Sequence, residues 1–258
     1  MAETTLIDWA STTAAVWRRH RSGLRAIRRL DPVQWNSLKG IDRQRDAIAR
    51  NTERFLAGDP SNNALLWGSR GTGKSSLIKA LLNRYADQGL RMIEVDKDDL
   101  VTLPEIVDDL CEQPYRFVIF CDDLSFDVGE SSYKALKSVL EGSLELPPEN
   151  VRVYATSNRR HLMPEFMSDN LQSQVRDGEL HPAEAIEEQV SLADRFGLQL
   201  SFYPFPQDTY LQTVDSFFPD VSDRAALHQE AIRFATAKGV RNGRTAQQFY
   251  RQFAGTIN

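Results

Sequence analysis

The chain has 258 residues, of which 41% are hydrophobic and 26% are charged, and this composition is ordinary for a globular protein. Its formal net charge of −5 excludes a global basic field for holding nucleic acid and leaves room only for a local basic patch, while Cys111 and Cys121 are too few for a disulfide framework or a structural zinc site. No apolar run approaches the about 18 residues of a membrane span and the N-terminus lacks a signal-peptide core, so we expect a cytoplasmic protein without a membrane span.

The first predicted unit is a helical N-terminal arm, residues 1–33, which ends at Asp31-Pro32. Its centre, from Trp17 to Leu30, carries six arginines and no acidic residue. One interpretation is a docking arm for an acidic partner, either nucleic acid or anionic lipid. The other, which we favour, is an amphipathic helix with its arginines in solvent and an apolar face packed on the protein. That face would contain Trp9, Val16, Trp17, Leu24 and Ile27.

Residues 34–204 are predicted to form an α/β core, a three-layer αβα unit with a mostly parallel, five-stranded sheet. A helix is expected from Asp42 to Gly58, and strands then alternate with helices as in successive βαβ units. Sheets of this kind bind ligands at the carboxyl ends of their strands. The predicted strands are Ala64–Trp67, Met92–Val95, Phe117–Cys121, Val151–Thr156 and Leu198–Phe202. The predicted helices lie at about 74–86, 104–112, 131–142 and 184–195.

The pattern changes after Pro204 and Pro206, and residues 205–258 are predicted to form a small helical lid. Three amphipathic stretches follow one another there with no strand between them. They are Asp208–Phe217, Asp223–Lys238 and Thr245–Phe253.

Residues 68–75 read Gly-Ser-Arg-Gly-Thr-Gly-Lys-Ser and match the Walker A phosphate-binding pattern G-x-x-x-x-G-K-[ST]. The backbone N–H groups of such a loop surround a polyphosphate, and the predicted helix that follows directs its positive end at the anion. We therefore expect nucleotide binding, with Lys74 at the β and γ phosphates and the Ser75 hydroxyl on Mg²⁺. The predicted nucleotide-binding residues of this region are Gly68, Ser69, Arg70, Gly71, Thr72, Gly73, Lys74, Ser75 and Ser76.

Residues 117–123 are five apolar residues followed by two carboxylates, Asp122 and Asp123. A buried strand that ends in an acid is the Walker B arrangement, in which Asp122 would hold Mg²⁺. By itself the pattern is weak, but its position on a separate strand after the phosphate loop strengthens it. Asp123 is the candidate base that polarises the attacking water, and Glu130 is the reserve candidate.

A further predicted strand ends at Asn158, whose amide could bind the γ-phosphate or the attacking water. The alternative is ordinary turn chemistry, since asparagine tolerates tight bends. Next to the two other motifs we favour the first interpretation.

Taken in order, these motifs resemble those of an AAA+ ATPase across about residues 36–255. In finer detail the chain resembles a little-characterised bacterial family of small stand-alone AAA+ ATPases. The resemblance rests on the sequence strings at 65–75, 94–100, 120–126, 154–162 and 191–198.

The resemblance implies a role for each matching residue. Residues 71–76 would hold the phosphates of ATP or ADP, and Gly40 and Ile41 would line the adenine pocket. Asn158 would be sensor 1, Arg195 an arginine finger that acts on a neighbouring subunit, and Arg244 the sensor 2 residue of the lid. Asp123 stands where the common AAA+ pattern has glutamate, and this difference leaves the rate of hydrolysis open.

Three functions remain compatible with the sequence. The first is an oligomeric ATPase that remodels or loads a client, either a protein or a nucleic acid. The second is a nucleotide-gated binding module with slow or no turnover, and the third is a small-molecule kinase. We favour the first, because the C-terminal helices with Arg244 look like an AAA+ lid. The segments 124–130 and 159–182 are insertions that could face a partner or be ordinary loops.

Overall fold

The computed structural model describes residues 7–19, 23–126, 131–142, 146–159, 162 and 192–256. Its strands and helices in chain order are β1 (Ala14–Arg18), β2 (Gly23–Ala26), α1 (Asp42–Ala57), β3 (Ala64–Gly68), α2 (Lys74–Tyr85), β4 (Leu90–Glu94), α3 (Leu103–Asp108), β5 (Arg116–Cys121), α4 (Ser131–Glu141), β6 (Val151–Ser157), β7 (Leu198–Phe202), α5 (Gln207–Phe217), α6 (Arg224–Lys238) and α7 (Gly243–Phe253).

The strands form one sheet in the order β2-β1-β4-β5-β6-β3-β7. All neighbouring pairs are parallel except β1 and β2, which are antiparallel. The five predicted strands are confirmed as β3 to β7. The sheet has seven strands rather than the predicted five, because the N-terminal segment adds two.

Two apolar clusters cover the two faces of the sheet, as expected for a parallel sheet between helices. One cluster packs α3 and α4 against the sheet, and the other packs α1 and α2. The predicted helix at 184–195 falls largely outside the described residues. No helix in the described part of the chain is long and apolar enough to cross a membrane.

The prediction of a helical N-terminal arm was wrong, because residues 14–18 and 23–26 form strands β1 and β2. β1 pairs with β4 on one side and with β2 on the other. Its side chains alternate, with Ala15 and Trp17 in one apolar cluster and Ala14 in the other. Burial on both faces therefore overrides the helical spacing of the apolar residues. The expected packing is found in part: Trp9, Val16 and Trp17 are buried, whereas Leu24 and Ile27 are half-buried.

The antiparallel strands β1 and β2 form the N-terminal hairpin. A substitution at Val16 tests whether this hairpin unfolds together with the rest of the core. Val16 is 7% exposed and lies between Arg25 of β2 and Glu94 of β4. We expect Val16→Ala to lower the free energy of unfolding by about 1–2 kcal/mol, because two buried methyl groups are removed. Urea denaturation measures the change, with Val240→Ala as a control at a 36% exposed valine. An unchanged midpoint for Val16→Ala would mean that the hairpin unfolds separately.

The three predicted C-terminal helices are confirmed as α5, α6 and α7. They surround an apolar cluster of their own, which includes Tyr210, Leu227 and Phe249. Gly239, with φ of 70°, ends α6, and Asn242 begins α7 by accepting a hydrogen bond from the backbone N–H of Thr245. This cap fixes the residue at which α7 begins.

Candidate functional site

Three of the predicted motifs follow the ends of neighbouring strands. β6 lies between β5 and β3, and all three are parallel, so their carboxyl ends meet at one edge. The phosphate loop follows β3, Asp122 follows β5, and Asn158 follows β6. Sheet topology alone therefore brings together the three motifs that the sequence separates.

Lys74 is the first residue of α2, and its side chain turns back into the phosphate loop. Its Nζ donates to the carbonyl oxygens of Gly68 at 2.7 Å and Ser69 at 2.8 Å, and to Asn158 Oδ1 at 3.3 Å. Burial lowers the pKa of Lys74 to about 8, against the opposing effect of Asp123 and Asp122. A phosphate beside this ammonium would favour its charged form and offset the effect of burial.

Ser75 and Asp122 form the part of the site that suits a divalent cation. Ser75 Oγ donates to Asp122 Oδ1 at 2.6 Å, and Thr156 Oγ1 donates to the same carboxylate oxygen at 2.5 Å. A hydroxyl and a carboxylate in contact at the mouth of a phosphate loop are hard oxygen ligands, and Mg²⁺ prefers one or two such groups together with substrate phosphates. These residues therefore fit a nucleotide-bound Mg²⁺.

Asp123 and Asn158 are in direct contact. Asn158 Nδ2 donates to Asp123 Oδ1, while Asn158 Oδ1 accepts from Lys74, so one amide links the candidate base to the lysine of the loop. Asp123 has φ of 52°, a left-handed conformation that is uncommon for any residue but glycine. Its backbone N–H donates to Thr156 Oγ1 at 2.9 Å. This contact helps to hold the conformation that turns the carboxylate toward Asn158.

The lid contacts the phosphate loop directly. Asn242 Nδ2 donates to the carbonyl oxygen of Arg70 at 2.9 Å, and the backbone N–H of Arg244 donates to the carbonyl oxygen of Gly71 at 3.2 Å. Gly71 has φ of +75°, and a Cβ there would lie 2.7 Å from Asn242 Nδ2 and 2.9 Å from Arg244 Cβ. Only glycine therefore allows the lid to approach this closely.

Gly40 and Ile41 lie next to the phosphate loop and to the first helix of the lid. Ile41 is 4% exposed, and its Cδ1 would be 3.7 Å from a Cβ placed on Gly73. Gly40 lies against Thr209 of α5. The predicted adenine-pocket residues thus stand between the phosphate loop and the lid. Thr72 closes the loop internally by donating to the carbonyl oxygen of Ser69 at 2.7 Å.

Asn242 caps α7 and also binds the phosphate loop, so its loss should affect both stability and ATP binding, whereas the loss of an ordinary cap should affect stability alone. We expect Asn242→Ala to lower the free energy of unfolding by about 1–2 kcal/mol and to weaken ATP binding, because the lid loses its side-chain bond to Arg70. Denaturation and calorimetry measure the two effects.

Asp223 is the matched control. It caps α6 by accepting from the backbone N–H of Ala226 at 3.0 Å, and this bond lies within the lid, away from the phosphate loop. Asp223→Ala should cost about 1 kcal/mol of stability and leave ATP affinity intact. An equal weakening of ATP binding in the two variants would show that Asn242 acts only through stability.

Arg195 is the predicted site residue that the structure does not bring to this edge. It lies just before β7, at the amino end of the strands, and its guanidinium pairs with Glu141 at the end of α4. It lines a cavity of about 400 Å³ together with Asn62 and Arg152. A strand of five residues separates this edge from the phosphate loop, which is a distance of about 16 Å. Arg195 therefore stands apart from the phosphate loop of its own chain.

The sequence interpretation missed Thr156 and Asn242. Thr156 bonds to both Asp122 and Asp123, and the signal for it was its position two residues before Asn158, on the same face of one strand. Asn242 opens an Asn-Gly-Arg-Thr segment typical of a helix N-cap, but nothing local indicated its bond to Arg70. Glu130, the reserve base, lies outside the described residues, as do most of the insertions 124–130 and 159–182.

Comparisons with known proteins identify the family of the chain and its fold. A model of the family described as "Protein of unknown function (DUF815)" matches residues 10–257. No curated protein sequence matches the chain. Among solved structures, the Thermotoga maritima RuvB Holliday junction branch migration motor has a TM-score of 0.50 at 12% identity, over 86% of this chain and 72% of that one.

Two further structures have slightly higher TM-scores. The Aeropyrum pernix ORC1 protein, solved in complex with DNA, has a TM-score of 0.56 at 15% identity, over 86% of this chain and 63% of that one. A protein described as a DNA replication initiation factor has a TM-score of 0.53 at 17% identity, over 87% of this chain and 65% of that one. At such identities the likeness establishes the fold, and it confirms the predicted AAA+ fold of P-loop ATPases.

Proposed function

This chain belongs to the DUF815 family of proteins of unknown function, and from that premise we propose that it is an ATPase of the AAA+ type. It binds ATP with Mg²⁺, hydrolyses the γ-phosphate and works as a homo-oligomer on a macromolecular client. The observation that supports the proposal most strongly is the continuous chain of contacts from Lys74 through Asn158 to Asp123, beside the Ser75–Asp122 pair.

Each residue has a separate task in this proposal. Residues 68–76 direct backbone N–H groups at the phosphates, and Lys74 neutralises charge on the β and γ phosphates. Ser75 and Asp122 hold Mg²⁺, which when bound neutralises charge that develops on the phosphate oxygens. Asp123 accepts a proton from the attacking water, and Asn158 orients that water and the γ-phosphate.

The two late arginines complete the proposed site from different subunits. Arg244 extends from the lid, whose backbone already contacts Gly71, and would reach the phosphates of the same chain. Arg195 lies at the far edge of the sheet and would reach the nucleotide of a neighbouring subunit. Charge spreads over the phosphate oxygens in the transition state of phosphoryl transfer, so an added guanidinium accelerates the reaction.

One observation favours a second candidate function, the nucleotide-gated switch. The hydrogen bonds from Asn242 and Arg244 to loop carbonyls connect the lid to the part of the chain that would contact phosphate. Nucleotide occupancy can therefore change the position of the lid without hydrolysis. Asp123, which is shorter than glutamate, is compatible with slow turnover.

A phosphate-release assay, combined with light scattering, tests the proposal. We expect phosphate release without an added acceptor, a specific activity that rises with protein concentration, and a larger mass in the presence of ATP and Mg²⁺. Tight ATP binding without release would favour the switch instead. Consumption of ATP only in the presence of a small-molecule acceptor would favour a kinase.

A further inference from the structure

The N-terminal hairpin carries a set of exposed arginines that the proposed ATPase chemistry does not use. Arg18 ends β1, Arg25 lies within β2, and Arg28 and Arg29 follow β2 directly. All four are exposed, and we call them the arginine surface. In a chain with a net charge of −5, this is a local concentration of positive charge.

The register of the hairpin places two of these arginines on the same face of the sheet. Arg18 pairs with Gly23, and Val16 pairs with Arg25. Because side chains alternate along a strand, Arg18 and Val16 share a face, and the antiparallel pairing puts Arg25 on that face too. Arg18 and Arg25 are therefore diagonal cross-strand neighbours, about 7–8 Å apart. Arg29 continues the surface along the rim of a cavity of about 220 Å³ between β1 and α2.

Asp31 and Glu94 line the same cavity as Arg29 but form no ion pair with it. Within the described parts of the chain, no ion pair includes any of its four arginines. The nearby Asp31 pairs instead with Lys79 at 3.1 Å. Glu94 lies on the same row as Arg25 but two strands away, with Val16 between them, at about 10 Å. Arg25 makes a 3.5 Å contact with the carbonyl oxygen of Ala26, which leaves its charge intact.

The chemistry of the surface distinguishes between polyanionic partners. All four cations are arginines, whose planar guanidinium matches phosphate oxygens in pairs. Binding to a lipid surface is strengthened by exposed apolar side chains that enter the interface, in addition to the attraction between basic residues and anionic lipid. Here Val16 and Trp17 of β1 are buried, Leu24 of β2 and the following Ile27 are half-buried, and the exposed large hydrophobic residues of the described chain lie elsewhere.

We propose that the arginine surface binds the phosphate backbone of a nucleic acid without reading its sequence. The inference names the class of client that the proposed ATPase acts on, and in that sense it rests on the proposed function. Hairpin and phosphate loop use different residues, so nucleic-acid binding can be measured without nucleotide. Failure of this binding leaves ATP binding and hydrolysis to stand on their own.

The test compares two variants of the full chain that remove the same amount of positive charge. Fluorescence anisotropy is measured at low and at physiological salt, with a fluorescein-labelled DNA duplex, the corresponding single strand and an RNA of the same sequence. The surface variant combines Arg18→Gln, Arg25→Gln, Arg28→Gln and Arg29→Gln. The control variant combines Arg50→Gln, Arg54→Gln, Arg233→Gln and Arg251→Gln, which are all exposed and lie outside the hairpin.

We expect the native chain and the control variant to bind at least one of the three probes, and the surface variant to bind it at least tenfold more weakly at low salt. For the surface variant, the logarithm of the association constant should also depend less steeply on the logarithm of the salt concentration. The slope should be smaller in magnitude by about 0.7–0.9 for each phosphate that the surface variant no longer neutralises. If the surface variant does not fold, Arg28→Gln with Arg29→Gln, outside both strands, should still show a smaller effect of the same kind.

Three results would overturn the inference. In the first, the native chain binds none of the three nucleic acids, and in the second, the surface and control variants bind them equally weakly. In the third, the native chain does not bind nucleic acid but sediments with vesicles that contain phosphatidylserine, and this binding depends on the same four arginines. Phosphate release and ATP uptake, measured on the same protein, report separately on the proposed ATPase.

Discussion

Replacing Arg195 with alanine is expected to lower the rate of phosphate release about 10³–10⁵-fold while leaving ATP affinity nearly unchanged. An arginine that enters the transition state from a neighbouring subunit contributes by this amount in other phosphoryl-transfer enzymes, which corresponds to about 4–7 kcal/mol. The position of Arg195, one strand length from its own phosphate loop, is the reason to expect action between subunits. The measurement is single-turnover phosphate release at a protein concentration that supports assembly.

Glu141 provides the control that separates this role from a structural one. Arg195 pairs with Glu141 within the chain, so Arg195→Ala also breaks that ion pair. Glu141→Gln breaks it too but keeps the guanidinium. If Arg195 only stabilises the fold, the two variants should lose activity alike. If Arg195 acts as an arginine finger, Glu141→Gln should retain activity or exceed the native rate, because the Arg195 side chain is no longer held by the ion pair and can extend toward the neighbouring subunit.

A mixing experiment adds a second readout. Arg195→Ala subunits have an intact phosphate site, and Lys74→Ala subunits have an intact finger. Mixed together, they should recover part of the activity that each lacks alone. No recovery in an oligomer that forms normally would contradict a finger that acts between subunits.

Replacing Lys74 with alanine is expected to weaken ATP binding at least about 100-fold, which is about 2.8 kcal/mol at 1.4 kcal/mol for each factor of ten. The Lys74 side chain is the cation that lies inside the loop, within hydrogen-bonding distance of Gly68 and Ser69 oxygens and of Asn158. Without it, the phosphates meet the loop carbonyls with no neutralising charge. Titration calorimetry with ATP and with ADP measures the change.

Lys79 is the matched control, because it lies on the same helix but pairs with Asp31 at the surface. Lys79→Ala should bind ATP as the native chain does. Stability should change little in Lys74→Ala, since the variant also removes the cost of burying an ammonium group, whose pKa burial has already lowered to about 8. Intact ATP uptake in a folded Lys74→Ala variant would contradict nucleotide binding by this loop.

The residues that meet at the carboxyl ends of β3, β5 and β6 could be predicted because their signals are local. The loop at residues 68–75 is a continuous motif between an apolar strand and an amphipathic helix. The strand and the helix restrict the backbone conformations that the loop between them can adopt. Asp122 and Asn158 each follow an apolar run that is buried in the sheet. Parallel pairing then brings the three strand ends together without further information from side chains.

Contacts that depend on distant parts of the chain could not be predicted in the same way. The arm at residues 1–33 has apolar spacing suited to a helix, yet Ala14 to Trp17 join the sheet because β4 offers an unpaired edge. The bonds of Thr156 to Asp122 and of Asn242 to Arg70 are made between residues 34 and 172 positions apart. Before the chain folds, the position of one residue of each pair does not restrict the position of the other.

The amino-acid sequence by itself determined the α/β core, the order of its strands along the chain, the Walker A string and the carboxylates that follow β5. These features are encoded in runs of neighbouring residues, because backbone hydrogen bonding and the alternation of polar and apolar side chains act over short separations. Only the tertiary structure decided that the N-terminal arginines stand on a sheet edge, that the lid caps the loop through Asn242, and that Arg195 faces away from its own nucleotide site. Those outcomes depend on which buried surfaces meet, and that choice is made by the packing of the whole chain.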